Sequence, residues 1–393
     1  MKKIAIVMSE GLPVPAVKGG AVENLVQALL DENEKAPAFA FSVFTLADPL
    51  AEQAAKKYAH ARFHFFPKKK ARLFRWISKH LLPAPFYFGD PFIHDVLGAM
   101  RGNAFDAIVI ENAPRYAMLL RKAFPRTPIA CHLHNRILRR GCRYERQIVR
   151  ATDAFACVSE FLCREALSAR GVLRERVFCC PNGIDVARFS SAALSAEERA
   201  ARRAQFGLSE KDFVFLFSGR IVKEKGVGEL LEAFREVGRR VPAAKLLLLG
   251  ANVVEEGTAK WDAPVPRGVV FSGLVPYAEM PAMLKLGDVA VLPSTGDEAF
   301  ALTLVECLCA GLPTISTDSG GMAEIAEGGA ARVVPRGKEL SSRLAEAMLA
   351  LHASAEERRA LSEKGASRGA LFSRERYWAR FREILSTLVS FRG

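Results

Sequence analysis

Short β-branched or apolar runs alternate with segments of helical period from one end of the chain to the other. In the first half the runs predict strands near 3–8, 40–46, 61–66, 106–111, 128–133, 153–158 and 176–180. Helical patterns fall between them, most clearly at 20–33, 137–150 and 159–169. The second half repeats the alternation, with strands near 213–218, 244–249, 268–271, 288–292, 313–316 and 331–334. Beyond 338 the pattern is helical almost to the end. Alternation of this kind predicts an α/β fold of parallel sheets with helices on both faces. The break between two such sheets is expected after Pro181-Asn182-Gly183-Ile184-Asp185, because Asn-Gly is a strong turn signal and the next stretch has no strand character.

A length of 393 residues supports that division, since single cores rarely grow so large. Half the residues are hydrophobic and 25% charged, which excludes a disordered chain. Lys and Arg number 56 against 43 Asp and Glu, a net charge of +13 that implies an anionic partner without choosing one. The opening Met1-Lys2-Lys3 is followed by an apolar run, Ile4 to Met8, too short for a signal peptide. No uninterrupted apolar stretch approaches the roughly 20 residues that cross a bilayer. A cytoplasmic protein, or one peripheral to the inner face of a membrane, is expected. The eight cysteines form no Cys-x-x-Cys pair and read as buried small hydrophobes in a reducing compartment. Cys131-His132-Leu133-His134 followed by Cys142 matches no standard zinc spacing, and no metal is expected.

The candidate chemistry sits where strands end. No dinucleotide fingerprint or Walker A loop follows the first strand. Instead a longer loop from Gly11 leads through Lys18-Gly19-Gly20 into a helix, and paired glycines there can expose amides to a phosphate. Gly219-Arg220 closes a strand and Lys225-Gly226 opens the next helix, two cations at a strand's carboxyl end that suit a diphosphate or, taken alone, make a solvated basic turn. Glu298-Ala299-Phe300-Ala301-Leu302 and Glu306 give a Glu-x7-Glu spacing, one carboxylate ahead of a helix from about Ala301 to Ala310 and one inside it. A carboxylate on that apolar segment requires hydroxyls or positive charge to meet it. Gly320-Gly321-Met322-Ala323-Glu324 adds a glycine turn after the next strand.

Taken in order, Gly19-Gly20, His134-Asn135, Arg220 with Lys225, Glu298-x7-Glu306 and Gly320-Gly321-x-x-Glu324 make the chain resemble a glycosyltransferase family 4 enzyme of the GT-B fold. The opening Leu-Pro-Val-Pro-x-Val-x-Gly-Gly is similar to a bacterial subset that includes spore-coat glycosyltransferases. The resemblance implies two Rossmann-like doubly wound domains facing across a cleft. Residues 1–186 would form the acceptor-side domain, joined by a C-terminal helix within 373–393, and residues 187–372 the donor-binding domain. It implies transfer of a sugar, with retained configuration, from a nucleotide-sugar donor to a glycan or lipid-linked acceptor in bacterial cell-surface polysaccharide or glycoconjugate synthesis. Uridine diphosphate sugars, the commonest donors of the family, are the expected ones. Arg220 and Lys225 would hold the diphosphate and Glu306 the ribose. Glu298 with Ala299 and the amides of Phe300, Ala301 and Leu302 would meet the donor sugar and phosphate. Main-chain groups near Val275 would read the base, Gly19, Gly20 and Asn135 would help bind the donor, and His134 would face the transferred sugar. Ala301 stands where the family commonly has Gly, and Cys307-Leu308-Cys309 where it has Ala-Met-Ala. No Asp-x-Asp occurs, in keeping with a metal-independent enzyme in which cationic side chains take the place of a cation.

Two rivals are weighed against this. A sugar-nucleotide epimerase of similar architecture would need acid and base carboxylates in its cleft, and the Glu-x7-Glu with Arg and Lys argues otherwise. A nucleic-acid-binding protein would suit the charge, but no helix-turn-helix, zinc or RNP-type motif is present. A further expectation concerns residues 53–89, which hold nine Lys or Arg and no Asp or Glu. Within 68–82 the helical period places Arg72, Arg75 and Lys79 on one face and Trp76 towards another. With Lys68, Lys69 and Lys70 these residues predict either contact with an anionic membrane or a helix packed in the domain with a solvated basic face.

Overall fold

The computed structural model describes residues 1–69, 90–250 and 264–390. The chain divides into two compact units, Met1–Gly183 with Arg374–Gly393, and Ile184–Ser373.

The first unit is built on seven strands: β1 (Lys2–Val7), β2 (Phe39–Leu46), β3 (Ala61–Phe66), β4 (Ala107–Glu111), β5 (Ile129–Leu133), β6 (Ala154–Cys157) and β7 (Val177–Cys179). Their order is β3-β2-β1-β4-β5-β6-β7, every pair parallel. β1, β4, β5 and β6 are buried along nearly their whole length, because helices cover both faces; hence their continuous apolar runs. The final helix, Arg374–Ser390, belongs to this unit. It buries Tyr377, Trp378, Phe381, Ile384, Leu385 and Leu388. Trp378 meets Phe39 and Phe41 edge-on, each at 6.3 Å, and Arg380 donates to the Cys179 carbonyl at 2.9 Å.

The second unit holds β8 (Phe213–Ser218), β9 (Ala244–Leu249), β10 (Val269–Phe271), β11 (Val289–Leu292), β12 (Thr314–Thr317) and β13 (Arg332–Val334). Their order, β10-β9-β8-β11-β12-β13, is parallel throughout and repeats the winding of the first sheet. Two hydrophobic layers sandwich it. One is centred on the helix Leu302–Cys309, the other on the helices Val227–Arg240 and Leu340–Ala353. Ile184 and Ser373, the two ends of the unit, form a parallel bridge.

One predicted element is shorter than its pattern. The helix expected over 137–150 spans only Glu145–Ala151. Residue Tyr144 has φ 65° and Gly141 φ 77°, so the chain turns where the periodicity continues. Arg140, Gly141 and Arg170 anchor that turn through Ser168 and the Glu145 carboxylate.

Candidate functional site

In both sheets the winding reverses beside the first strand, between β1 and β4 and between β8 and β11, and ligands of open α/β sheets bind at the carboxyl ends there. The motif residues collect at those edges.

In the second unit the loops after β8, β11 and β12 are tied into one frame. Thr295 and Gly296 donate to the Glu224 carbonyl at 3.0 and 2.9 Å, and Thr317 Oγ1 to the Ser294 carbonyl at 2.7 Å. Gly321 N–H reaches the Glu298 carbonyl at 2.8 Å, and Glu298 N–H the Ser319 hydroxyl at 3.0 Å. Two glycines make the frame feasible. Gly226 has φ 68°, and a Cβ there would lie 1.9 Å from the Pro293 oxygen. At Gly320, φ 49°, a Cβ would lie 2.3 Å from the Glu298 oxygen. Neither position admits a side chain without moving backbone.

The frame carries a charged node. Lys225 Nζ donates to Glu298 Oε1 at 2.6 Å, and Ser294 Oγ donates to the same oxygen at 2.6 Å. Arg220 follows Gly219 at the end of β8, is exposed, and has no ion-pair partner among the described residues. The amides of Phe300 and Ala301, at the entry to the helix Leu302–Cys309, have no acceptor among the described residues. Ala301 sits at φ −92°, a conformation that any residue adopts, so Ala in place of the family's Gly costs nothing in backbone strain. Phe300 and Leu302 lean on the core, Phe300 with its ring 5.6 Å from Phe372.

Glu306 lies inside that helix and is 8% exposed. Burial pushes its carboxyl up to about 7, against the opposing hydrogen bond from Tyr277 and the charge of Arg188. Arg188 also stacks over the Tyr277 ring at 4.9 Å and donates to the Tyr277 carbonyl at 3.1 Å. These are the partners that burial of Glu306 demands. Sequence reasoning missed both: Arg188 belongs to the short helix Val186–Ser190 and Tyr277 to the loop after β10, each remote in the chain. Val275, on the same loop, is half-buried against the core.

In the first unit, Gly19 (φ 73°) and Gly20 (φ 94°) precede the helix Ala21–Lys35. A Cβ on Gly20 would meet the Glu23 carboxylate at 2.2 Å, whereas Gly19 has open space around it. Glu23 accepts from Leu12 N–H at 3.2 Å and bends the loop back on the helix. His134 directly follows β5 as a buried residue, and Asn135 beyond it is exposed. His134 Nε2 lies 2.9 Å from Glu111 Oε2, and His132 Nδ1 lies 3.1 Å from the same oxygen. His134 N–H donates to the side chain of Asn112, whose φ of 54° marks strained backbone at the end of β4.

Glu111 is fully buried. Burial alone would raise its pKa, but the charge and hydrogen bond of His132 and the contact with His134 outweigh this and hold the carboxyl ionised. Burial and the neighbouring His132 push His134 down to about 4, with Glu111 opposing, so the ring is neutral near pH 7. A neutral ring that donates from Nε2 to a carboxylate leaves Nδ1 as an acceptor. That atom is buried and lacks a partner among the described residues. Sequence reasoning missed Glu111. Its only signal was position, the last residue of a strand beside the reversal of winding.

Lys68 and Lys69 are exposed, and Lys69 is bound to Asp95 at 2.6 Å. Lys70, Arg72, Arg75, Trp76 and Lys79 lie outside the described residues. Among the described residues no helix is long and apolar enough to cross a membrane. A polar hollow lined by Arg199, Lys211, Phe213, His352 and Arg358 opens at the opposite, amino-terminal edge of the second sheet, away from the charged node.

Residues 39–188 match the family model described as Glycosyltransferase Family 4, and residues 198–368 the one described as Glycosyl transferases group 1. Spore coat protein SA of Bacillus subtilis is 24% identical over 380 residues, covering 92% of this chain and 93% of that protein. A GDP-mannose-dependent monoacylated alpha-(1-6)-phosphatidylinositol monomannoside mannosyltransferase of Corynebacterium glutamicum is 28% identical over 185 residues, 46% of this chain and 48% of the relative. Among solved structures, Anabaena HepE in complex with UDP-glucose aligns with a TM-score of 0.75 at 18% identity, covering 98% of this chain and all of that one. The shared architecture is the GT-B class, two Rossmann-like units each on a parallel sheet.

Proposed function

Because the chain belongs to the family 4 glycosyltransferases, we propose that it transfers a sugar from a nucleoside diphosphate donor to a glycan or lipid-linked acceptor of the bacterial cell surface, with retained configuration and without a metal. The observation that carries this reading is the node at the carboxyl edge of the second sheet: Lys225 held on Glu298 at 2.6 Å, with exposed Arg220 at the end of β8. In this reading the departing diphosphate draws Lys225 and Arg220. Charge develops there in the transition state, where fixed cations act most strongly. Glu298, released from Lys225, and the amides of Phe300 to Leu302 meet the donor sugar and phosphate. Glu306 accepts from the ribose hydroxyls, the backbone near Val275 reads the base, and His134 offers Nδ1 to a substrate hydroxyl. Gly19, Gly20 and Asn135 shape the loops beside it. Uracil is the proposed base, in line with the UDP-glucose bound by HepE. The guanine nucleotide named for the mannosyltransferase relative is the competitor to test.

A thermal-shift and hydrolysis screen over UDP-sugars and GDP-mannose decides the donor, since a bound ligand raises stability by mass action. Lys225→Ala is expected to lower kcat/KM by a factor equivalent to about 3 kcal/mol, as for loss of an oxyanion donor. Wild-type turnover in that variant removes the assignment. Lys68, Lys69, Lys70, Arg72, Arg75, Trp76 and Lys79 are proposed to meet an anionic membrane that presents the acceptor. Flotation with phosphatidylglycerol vesicles that is indifferent to Lys68, Lys69, Lys70 and Arg72→Gln overturns this.

A further inference from the structure

Half of the eight cysteines lie between 157 and 180, at the β6–β7 side of the first sheet. Cys157 and Cys179 are direct register partners on β6 and β7, so their side chains share a sheet face. The helix Glu160–Ser168 follows β6, and Glu160 and Cys163, three residues apart, share one side of it. The carboxylate of Glu160 and the sulfurs of Cys163 and Cys179 all lie within 4.8 Å of one another. The Cys163 thiol interacts with those of both Cys157 and Cys179, and Glu160 bears on Cys179. The helix and β7 thus bring two thiols and a carboxylate to one point, and β6 sets a third thiol, that of Cys157, beside Cys163.

We propose that Cys157, Cys163, Cys179 and Glu160 form a closed site for one thiophilic d10 cation, of which zinc is the type. Zinc takes four ligands in a tetrahedron with Zn–S distances of about 2.3 Å, which sets sulfurs about 3.8 Å apart. Three of the ligand atoms already lie within 4.8 Å of one another, and Cys157 completes the set by turning from Cys163 towards the ion. The chemistry favours it in a second way. Without an ion the thiols offer the carboxylate only weak S–H donors, and burial with neighbouring negative charge keeps them protonated. A cation reverses the sign of that contact. On loading, the three thiols each lose a proton to solvent, and three thiolates with one carboxylate leave no open position. The site is therefore structural, a clamp between the three-residue strand β7 and the helix. Entry is available from the surface, because Glu160 is exposed and Cys179 only half-buried, while Cys157 and Cys163 close the inner side.

The full chain, reduced with a phosphine and stripped with a chelator, is titrated with cadmium, whose thiolate bond gives a near-ultraviolet charge-transfer band. The band is expected to saturate at one equivalent per chain, and native mass spectrometry with zinc should show one bound ion with three displaced protons. Loading should weaken as pH falls, because protons compete for the sulfurs. Cys179→Ser and Cys163→Ser should each lower affinity at least about a hundredfold, and Glu160→Gln roughly tenfold. Cys307→Ser, in the other unit, should change nothing. Should Cys163→Ser fail to fold, the half-buried Cys179→Ser decides the matter. No saturable band in the wild-type chain, or a band that survives intact in Cys179→Ser, overturns the proposal.

Discussion

At the scale of single residues the buried Glu306 and His134 behave oppositely, and the difference is testable. Glu306 has its pKa raised to about 7 against an ordinary 4.5. Between those values the folded state holds a proton that the unfolded state has lost, so stability falls as pH rises from 4.5 to 7. A ribose hydroxyl needs the ionised acceptor, so calorimetric affinity for the nucleoside diphosphate is expected to rise roughly tenfold from pH 6 to pH 8, following the ionised fraction. Glu306→Gln should bind more weakly by about 1.5–3 kcal/mol and lose the pH dependence. His134 has its pKa lowered to about 4 from 6.5. The unfolded chain takes up the proton first, so stability present above pH 6.5 is lost as pH falls towards 4, by roughly 1–3 kcal/mol. His134→Gln should flatten that slope in chemical denaturation series run from pH 7 to pH 4.5. Glu298 and Glu306 were recognisable by their spacing. Glu111, Tyr277 and Arg188 were not, since each matters through a residue distant in the chain.

At the scale of elements the glycines separate by what surrounds them. Gly19 needs only its positive φ, and Gly19→Ala should cost about 1–2 kcal/mol. Gly226 and Gly320 also have carbonyl oxygens where a Cβ would go. Gly226→Ala and Gly320→Ala should therefore destabilise by several kcal/mol and remove donor binding, because the loops after β8, β11 and β12 can no longer close on one another. Melting temperatures of the three alanine variants check the order; equal losses would refute it. The helix starting at Glu145 rather than 137 teaches the same lesson. Apolar period alone continues through Ile137 and Leu138, but the Glu145 carboxylate captures the amides of Gly141 and Arg170 and turns the chain first.

At the scale of the molecule, the helix Arg374–Ser390 is part of the first unit although 190 residues of the second separate it from Gly183. Its anchor is Trp378, set edge-on against Phe39 and Phe41 of β2. Trp378→Ala should cost about 3–5 kcal/mol in the first unit. Followed by differential scanning calorimetry, one transition should move down while nucleotide-dependent stabilisation of the other persists. A uniform shift of both would contradict the assignment of the helix to one unit.

The sequence by itself determined the class of fold and the order of its parts. Thirteen apolar runs became thirteen parallel strands, since strands buried on both faces must be apolar throughout and the segments between them must be helices long enough to cross over. It also marked the residues whose chemistry is local: the glycine turns, Arg220, Lys225 and the two glutamates. Only the tertiary structure decided their states. Lys225 meets Glu298 across 73 residues of chain, Glu306 acquires its raised pKa from burial beside Tyr277, and His134 its bare Nδ1 from Glu111 on a neighbouring strand. Periodicity reports which side of an element is covered, but not by what; charge state depends on the covering groups, and those come from elsewhere in the chain.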